Sequence, residues 1–263
     1  MRNLAILYLG TFLLNYSWYF MNDMLLFQAR PQYFLNQLDI TGNFLMLSGM
    51  QHDLLKGGDE RLLMDALYLF MPIILVAFSV RKSIWRTLMA IFTALFMMCY
   101  AWFYSISTFV SIEVFTAWML MPLVFAGRNA NQDKQLFDSI RLIFAIIFLS
   151  TALWKIRAGG IFNTEQMSAI LLQQHASAII DGNAGYIQWL IRHPGVSYYL
   201  YLAAFLVELA FGVALFTRKY DRMLAFAFCC FILFNYVLMN ISYFSWLPFA
   251  GLLFFKPVEE HLD

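Results

Sequence analysis

The sequence predicts an all-α fold, a polytopic transmembrane helical bundle of about eight spans with interfacial helices on its outer side. Three observations carry this. First, 62% of the 263 residues are hydrophobic and only 13% are charged, whereas a soluble domain carries roughly a quarter charged residues. Second, apolar runs of membrane-spanning length recur along the chain, and the apolar residues would fill about eight spans of ~20 residues. Third, the basic residues concentrate in alternate short turns, as they do in cytoplasmic loops. The same composition excludes a soluble globule, a disordered chain and a secreted disulfide scaffold. Seventeen basic against sixteen acidic residues leave a net charge of +1, so no nucleic-acid partner is expected. The partner that composition does name is the lipid bilayer.

The chain opens on Met1-Arg2-Asn3, followed by an apolar run over 4–20 that resembles a signal sequence. Tyr16, Trp18, Tyr19 and Phe20 occupy the place where cleavage needs small residues, so the run reads as an uncleaved first span at 4–22. Further apolar runs place spans at 62–80, 87–108, 110–127, 136–155, 198–217, 223–240 and 243–255. The tight junction at 105–111 and the short final run leave seven spans plus a re-entrant piece as the alternative. No repeat, low-complexity run or composition shift divides the sequence, so 1–263 is read as a single transmembrane domain.

Orientation follows from charge. Arg2, Arg81, Lys82, Arg86, Arg128, Lys134, Arg218, Lys219, Arg222 and Lys256 make ten of the seventeen basic residues, all in short turns on one side. This predicts both termini cytoplasmic and an even number of spans, a layout suited to a bacterial inner (plasma) membrane. Two long outer interludes, 23–61 and 156–197, break the pattern of short connections. Within the second, Met167, Ile170, Leu171, Ile179 and Ile180 recur at helical spacing among Glu165, Gln166, Gln173 and Gln174. Residues 36–55 alternate similarly. Such segments suit helices lying in the headgroup zone, where they can roof an outward-opening cavity or simply tie spans together.

Cys99, Cys229 and Cys230 lie inside apolar runs without metal-type spacing and read as small buried hydrophobes. His52, His175 and His193 fall in the outer interludes, also without ligand spacing, and no phosphate loop or hydrolase pattern is present. The informative residues are ionisable groups within the spans, each costing ~2.5–3.5 kcal/mol or more unless paired or solvated. Glu208 sits near the middle of its expected span, Arg141 about one and a half turns into 136–155, and Lys155 at that span's outer end. Arg141 and Lys155 are close to four turns apart at ~3.6 residues per turn and project from nearly one face. If that face meets Glu208, a ladder results: Arg141 low, Glu208 midway, Lys155 high, with Glu208 compensating one cation. Asp23, Asp65 and Glu113 fall near the outer boundary and read as helix-end residues that, with Lys155 and Arg157, would form a polar rim.

Residues 140–156, ending Ser150-Thr151-Ala152-Leu153-Trp154-Lys155-Ile156, resemble a helix of the HTTM (horizontally transferred transmembrane domain) family, relatives of vitamin K-dependent gamma-glutamyl carboxylase. An outer segment, His193-Pro194, a span with Glu208 and a basic turn at 218–222 follow in similar order. DoxX-like proteins share the order of a lysine-ended helix and a glutamate-bearing helix. The resemblance covers roughly 136–255 and implies a lysine base, at Lys155, that starts oxidation of a reduced quinone on the outer side. A lysine in a dry site loses the solvation of its ammonium form, which is the physical basis for such a base. Asn235 stands where the family often has histidine, so the fold is the safer inheritance than carboxylation.

Three functions remain open from sequence. A membrane enzyme would use Lys155, with Glu208 and Arg141, on a quinone-like molecule. A non-catalytic subunit or assembly factor would pack against other membrane-protein subunits. A transporter would need a discontinuous helix and usually an internal repeat, and the sequence displays neither.

Overall fold

The computed structural model describes residues 2–28, 49, 58–79, 84–107, 130–182 and 185–254. Every regular element among them is helical. The expected span at 110–127 with Glu113, the segment 36–55 with His52, and Arg81, Lys82, Arg128 and Lys256 lie outside the described residues. Among the described residues, three helices are long and apolar enough to cross a membrane: Lys134–Arg157, Pro194–Leu215 and Asp221–Met239. They coincide with the runs at 136–155, 198–217 and 223–240. The chain divides into two compact units, the division passing between Ile140 and Arg141.

The first unit holds α1 (Arg2–Met21), α2 (Asp59–Ser79), α3 (Ile84–Ser107), the start of α4 (Ala130–Arg157) and the 3₁₀ turn Phe244–Trp246. Its first three helices alternate in direction. Phe12 meets Tyr68 with ring centroids 4.9 Å apart, while the turn after α1 meets Asp65, nearer the start of α2. Tyr100, towards the end of α3, reaches the same Asp65. That turn contains Asp23 at φ 54, a left-handed conformation that aspartate tolerates better than most residues. Gln28 Nε2 closes the turn by donating to Asp23 Oδ1 at 3.1 Å and to the Phe20 carbonyl at 3.1 Å. Asp59 and Glu60 occupy the first turn of α2, where negative charge complements the helix dipole. The helix continues through Pro72 at the cost of one backbone hydrogen bond.

Asp65 is fully buried and accepts hydrogen bonds from the backbone N–H groups of Leu26 (3.2 Å) and Phe27 (2.8 Å) and from the Tyr100 hydroxyl. It joins α2 to the turn after α1 and to α3. Expected at a helix end, it lies instead in the second turn of α2, an internal staple with its own partners.

The second unit holds α4 from Arg141 onwards, a 3₁₀ turn at Gly160–Phe162, α5 (Gln166–Gln174), α6 (Ala176–Ile180), α7 (Gly185–Arg192), α8 (Pro194–Ala210) with its 3₁₀ continuation Phe211–Leu215, and α9 (Asp221–Met239). Pro194 begins α8, where its missing N–H costs nothing. Asn240 ends α9 in the left-handed conformation, φ 51, which gives a helix C-terminus its closing turn.

The amphipathic stretch 164–180 forms two helices, parted at His175. The His175 ring Nε2 lies 2.7 Å from the Leu238 carbonyl, and Tyr186 donates to the Val237 carbonyl at 2.8 Å, so this segment is bonded to the last turn of α9. Met167, Leu171, Ile187, Leu190 and Tyr201 form its buried core.

Deeper in the unit, Phe144 and Phe148 of α4 meet Phe211 and Phe228 with ring centroids 4.6–5.5 Å apart. Lipid tails are as apolar as phenylalanine, so such rings hold helices together by close packing rather than by leaving water. Gly212 leaves room for the Leu149 side chain, since a Cβ there would lie 3.3 Å from Leu149 Cδ1. The described chain ends with the helix Leu247–Phe254, in the place of the last expected span.

Candidate functional site

The spacing of Arg141 and Lys155 on α4 turns both into the second unit, where each meets a carboxylate. Lys155 Nζ lies 2.8 Å from Glu208 Oε1. Arg141 donates from Nε to Asp221 Oδ2 and from Nη2 to Asp221 Oδ1, both at 2.7 Å, and Nη2 also reaches the Thr217 carbonyl at 2.9 Å. This is the two-pronged geometry in which a guanidinium binds a carboxylate most strongly.

These contacts correct the expected ladder. Glu208 does compensate one cation, Lys155, but it stands level with it and not midway towards Arg141. The partner of Arg141 is Asp221. The helix bearing Glu208 starts at Pro194, so that Glu208 falls close to the end of α8, just before the 3₁₀ continuation. The 3₁₀ stretch then rises ~2.0 Å per residue against ~1.5 Å in an α-helix, carrying the chain quickly down to Thr217 and Asp221 beside Arg141. Sequence reasoning passed over Asp221 because it lies in the basic turn Arg218-Lys219-Tyr220-Asp221-Arg222 and looks solvated. An acid at the first position of a helix, one turn outside the core and facing an in-span arginine, was the available signal.

The two pairs differ in what they leave open. The Arg141–Asp221 pair is closed, with side chains 8% and 12% exposed and a backbone carbonyl as third partner. In the Lys155–Glu208 pair the Glu208 side chain is 4% exposed and that of Lys155 is 20% exposed. Glu208 Oε2 is buried and has no hydrogen-bond partner. A buried acceptor left without a donor costs ~1–3 kcal/mol, so the second oxygen retains the capacity to accept from a hydroxyl or N–H.

Tyr201, two turns before Glu208 on α8, completes the site. Its ring centroid is 5.1 Å from Lys155 Nζ, within the range at which an aromatic face attracts a cation. Its hydroxyl fits against Gly160 in the turn after α4, where a Cβ would lie 2.7 Å from Oη. Trp154 and Leu153, neighbours of Lys155 in sequence on α4, are exposed. The arrangement therefore combines an amine, a half-satisfied carboxylate and an aromatic plane. Chemically it can offer one more hydrogen-bond acceptor at Glu208 Oε2 and move a proton along the Lys155–Glu208 bond.

No family model, curated protein or solved structure matches the chain.

Proposed function

We propose that this chain is a multi-pass protein of about eight spans with an HTTM/carboxylase-like fold, set in a bacterial inner membrane with both termini cytoplasmic. In this reading Lys155 and Glu208 handle the hydroxyl proton of a quinone-like, lipid-soluble molecule approached from the outer side. The observation that carries it is the buried, unpartnered Glu208 Oε2 beside a lysine amine that keeps partial exposure.

Proton transfer along the 2.8 Å bond turns the ion pair into a neutral amine and a neutral acid. Low dielectric favours that exchange, because two charges lose their solvation cost together. Glu208 then holds the incoming hydroxyl group, and the Lys155 amine takes its proton. The ammonium so formed stabilises the oxygen that lost it. Tyr201 supplies the face against which a ring lies. Arg141, with its Nε and Nη2 engaged by Asp221 and Thr217, clasps α4 to the start of α9 and takes no part in the chemistry.

Purification in mild detergent, followed by mass spectrometry of the extracted small molecules, tests this. The expected result is a quinone co-purifying with the native chain and depleted from Lys155→Met at equal yield of folded protein. A stoichiometric protein partner, with quinone absent from both preparations, overturns it in favour of a non-catalytic subunit or assembly factor.

A further inference from the structure

The turn that joins the end of α8 to α9 carries a concentration of charge that the Lys155 site does not use. Arg218, Lys219 and Arg222 are all exposed there, between two helices that are each long and apolar enough to cross a membrane. Asp221 is the one acid between Glu208 and the end of α9, and it is closed. Arg141 holds both of its oxygens, each at 2.7 Å. The turn therefore presents cations without an open carboxylate of its own to answer them.

The turn is also held in shape from within. Arg141 Nη2 donates to the Thr217 carbonyl at 2.9 Å, the Lys219 N–H to the Thr217 hydroxyl oxygen at 3.2 Å, and the Asp221 N–H to the Arg218 carbonyl at 3.1 Å. The Lys219 ammonium lies 5.6 Å from the centre of the exposed Tyr220 ring, and tyrosine collects at the level of lipid headgroups. Apolar surface begins immediately beside the charges, with Phe216 89% exposed. Arg222 itself heads an exposed stripe on α9 that continues through Phe226, Cys230, Leu233 and Val237 at helical spacing. From Phe226 to Val237 the stripe runs ~16 Å along the axis, about the depth of one leaflet of a ~30 Å hydrocarbon core.

We propose that this turn is a binding site for an anionic phospholipid, with Lys219 and Arg222 on the phosphodiester and an acyl chain along the α9 stripe. Guanidinium and ammonium groups hold phosphate oxygens by charge-assisted hydrogen bonds, and basic clusters at the ends of spans attract anionic headgroups. Every phospholipid offers a phosphodiester, so the remaining charge of the headgroup decides. A zwitterionic headgroup brings an ammonium as well, which meets cations and no open carboxylate on the turn, because Asp221 is engaged by Arg141. A headgroup of net negative charge escapes that repulsion. A soluble phosphate would meet the same cations but leave the apolar stripe unused. Arg141 thereby gains a second task, which is to keep Asp221 from competing with the lipid. The inference does not depend on the reading of Lys155.

The test is native mass spectrometry of the purified full chain in detergent, titrated with phosphatidylglycerol or with phosphatidylcholine of the same acyl length. The native chain is expected to bind phosphatidylglycerol at least tenfold more tightly than phosphatidylcholine. Lys219→Gln and Arg222→Gln, both at exposed positions, are each expected to weaken phosphatidylglycerol binding about fivefold and to leave phosphatidylcholine unchanged. Arg192→Gln, at the exposed end of α7, is expected to bind as the native chain does. Equal affinity for the two lipids in the native chain overturns the proposal, as does an undiminished preference in both turn variants. An equal loss in Arg192→Gln overturns it in favour of diffuse surface attraction. Displacement of the lipid by an equal concentration of inorganic phosphate overturns it in favour of a soluble anion.

Discussion

Lys155 and Glu208 stand 53 residues apart in sequence and 2.8 Å apart in space, joined by one carboxylate oxygen while the other stays buried without a donor. A pair that served only to hold two helices would gain by satisfying both oxygens, as Asp221 does with Arg141. The half-filled carboxylate is the departure on which the proposed function rests.

Removing one partner strands the other. Lys155→Met leaves a carboxylate that is 4% exposed without its cation, a change that costs ~3–5 kcal/mol for a fully buried pair. The partial exposure of Lys155 places the expected loss near the lower end. The double variant Lys155→Met/Glu208→Leu carries no stranded charge and is expected to regain most of the native stability. Equilibrium unfolding in mixed detergent micelles measures all three chains, and a double variant no more stable than the single one contradicts the pairing.

The Arg141–Asp221 clasp is expected to be independent of the Lys155–Glu208 pair. Arg141→Met strands Asp221 and is expected to cost about 3–5 kcal/mol. Fourteen residues of helix, ~21 Å, separate the two sites, beyond the ~10 Å over which mutational effects usually interact. Combining Arg141→Met with Lys155→Met should therefore give the sum of the two losses within ~0.5 kcal/mol in the same unfolding measurement. A larger deviation would mean that the two pairs respond as one network.

Gly160 and Tyr201 are matched in shape. Gly160→Ala forces a Cβ to 2.7 Å from the Tyr201 hydroxyl, and overpacking of this kind costs ~1–3 kcal/mol. Tyr201→Phe removes the oxygen in the way. The double variant Gly160→Ala/Tyr201→Phe should be more stable than Gly160→Ala alone, as thermal denaturation in detergent will show.

Much of this unit was legible in sequence. Residues 136–155, 198–217 and 223–240 announce themselves because ~20 apolar residues in a row have few uses besides crossing a membrane. Lys155 and Glu208 were legible for the complementary reason that charge in such runs is expensive. Levels and partners were less so. Centring Glu208 within its apolar run ignored the helix start at Pro194 and the 3₁₀ turn beyond Ala210, which together set its height against α4. Asp221 carried an ordinary-looking charge at the head of a helix. The staple made by Asp65 depends on where the backbone N–H groups of Leu26 and Phe27 point, which no side-chain pattern encodes. The break at His175 follows no glycine or proline; at that residue the ring meets the Leu238 carbonyl.

The most direct test is equilibrium binding of a short-chain quinol to the chain in lipid nanodiscs, native against Lys155→Met. The account predicts saturable binding near one molecule per native chain and at least a tenfold weaker affinity in the variant, about 1.4 kcal/mol for the loss of one charge-assisted hydrogen bond. Uptake that is non-saturable, or equal in the two chains, would contradict it.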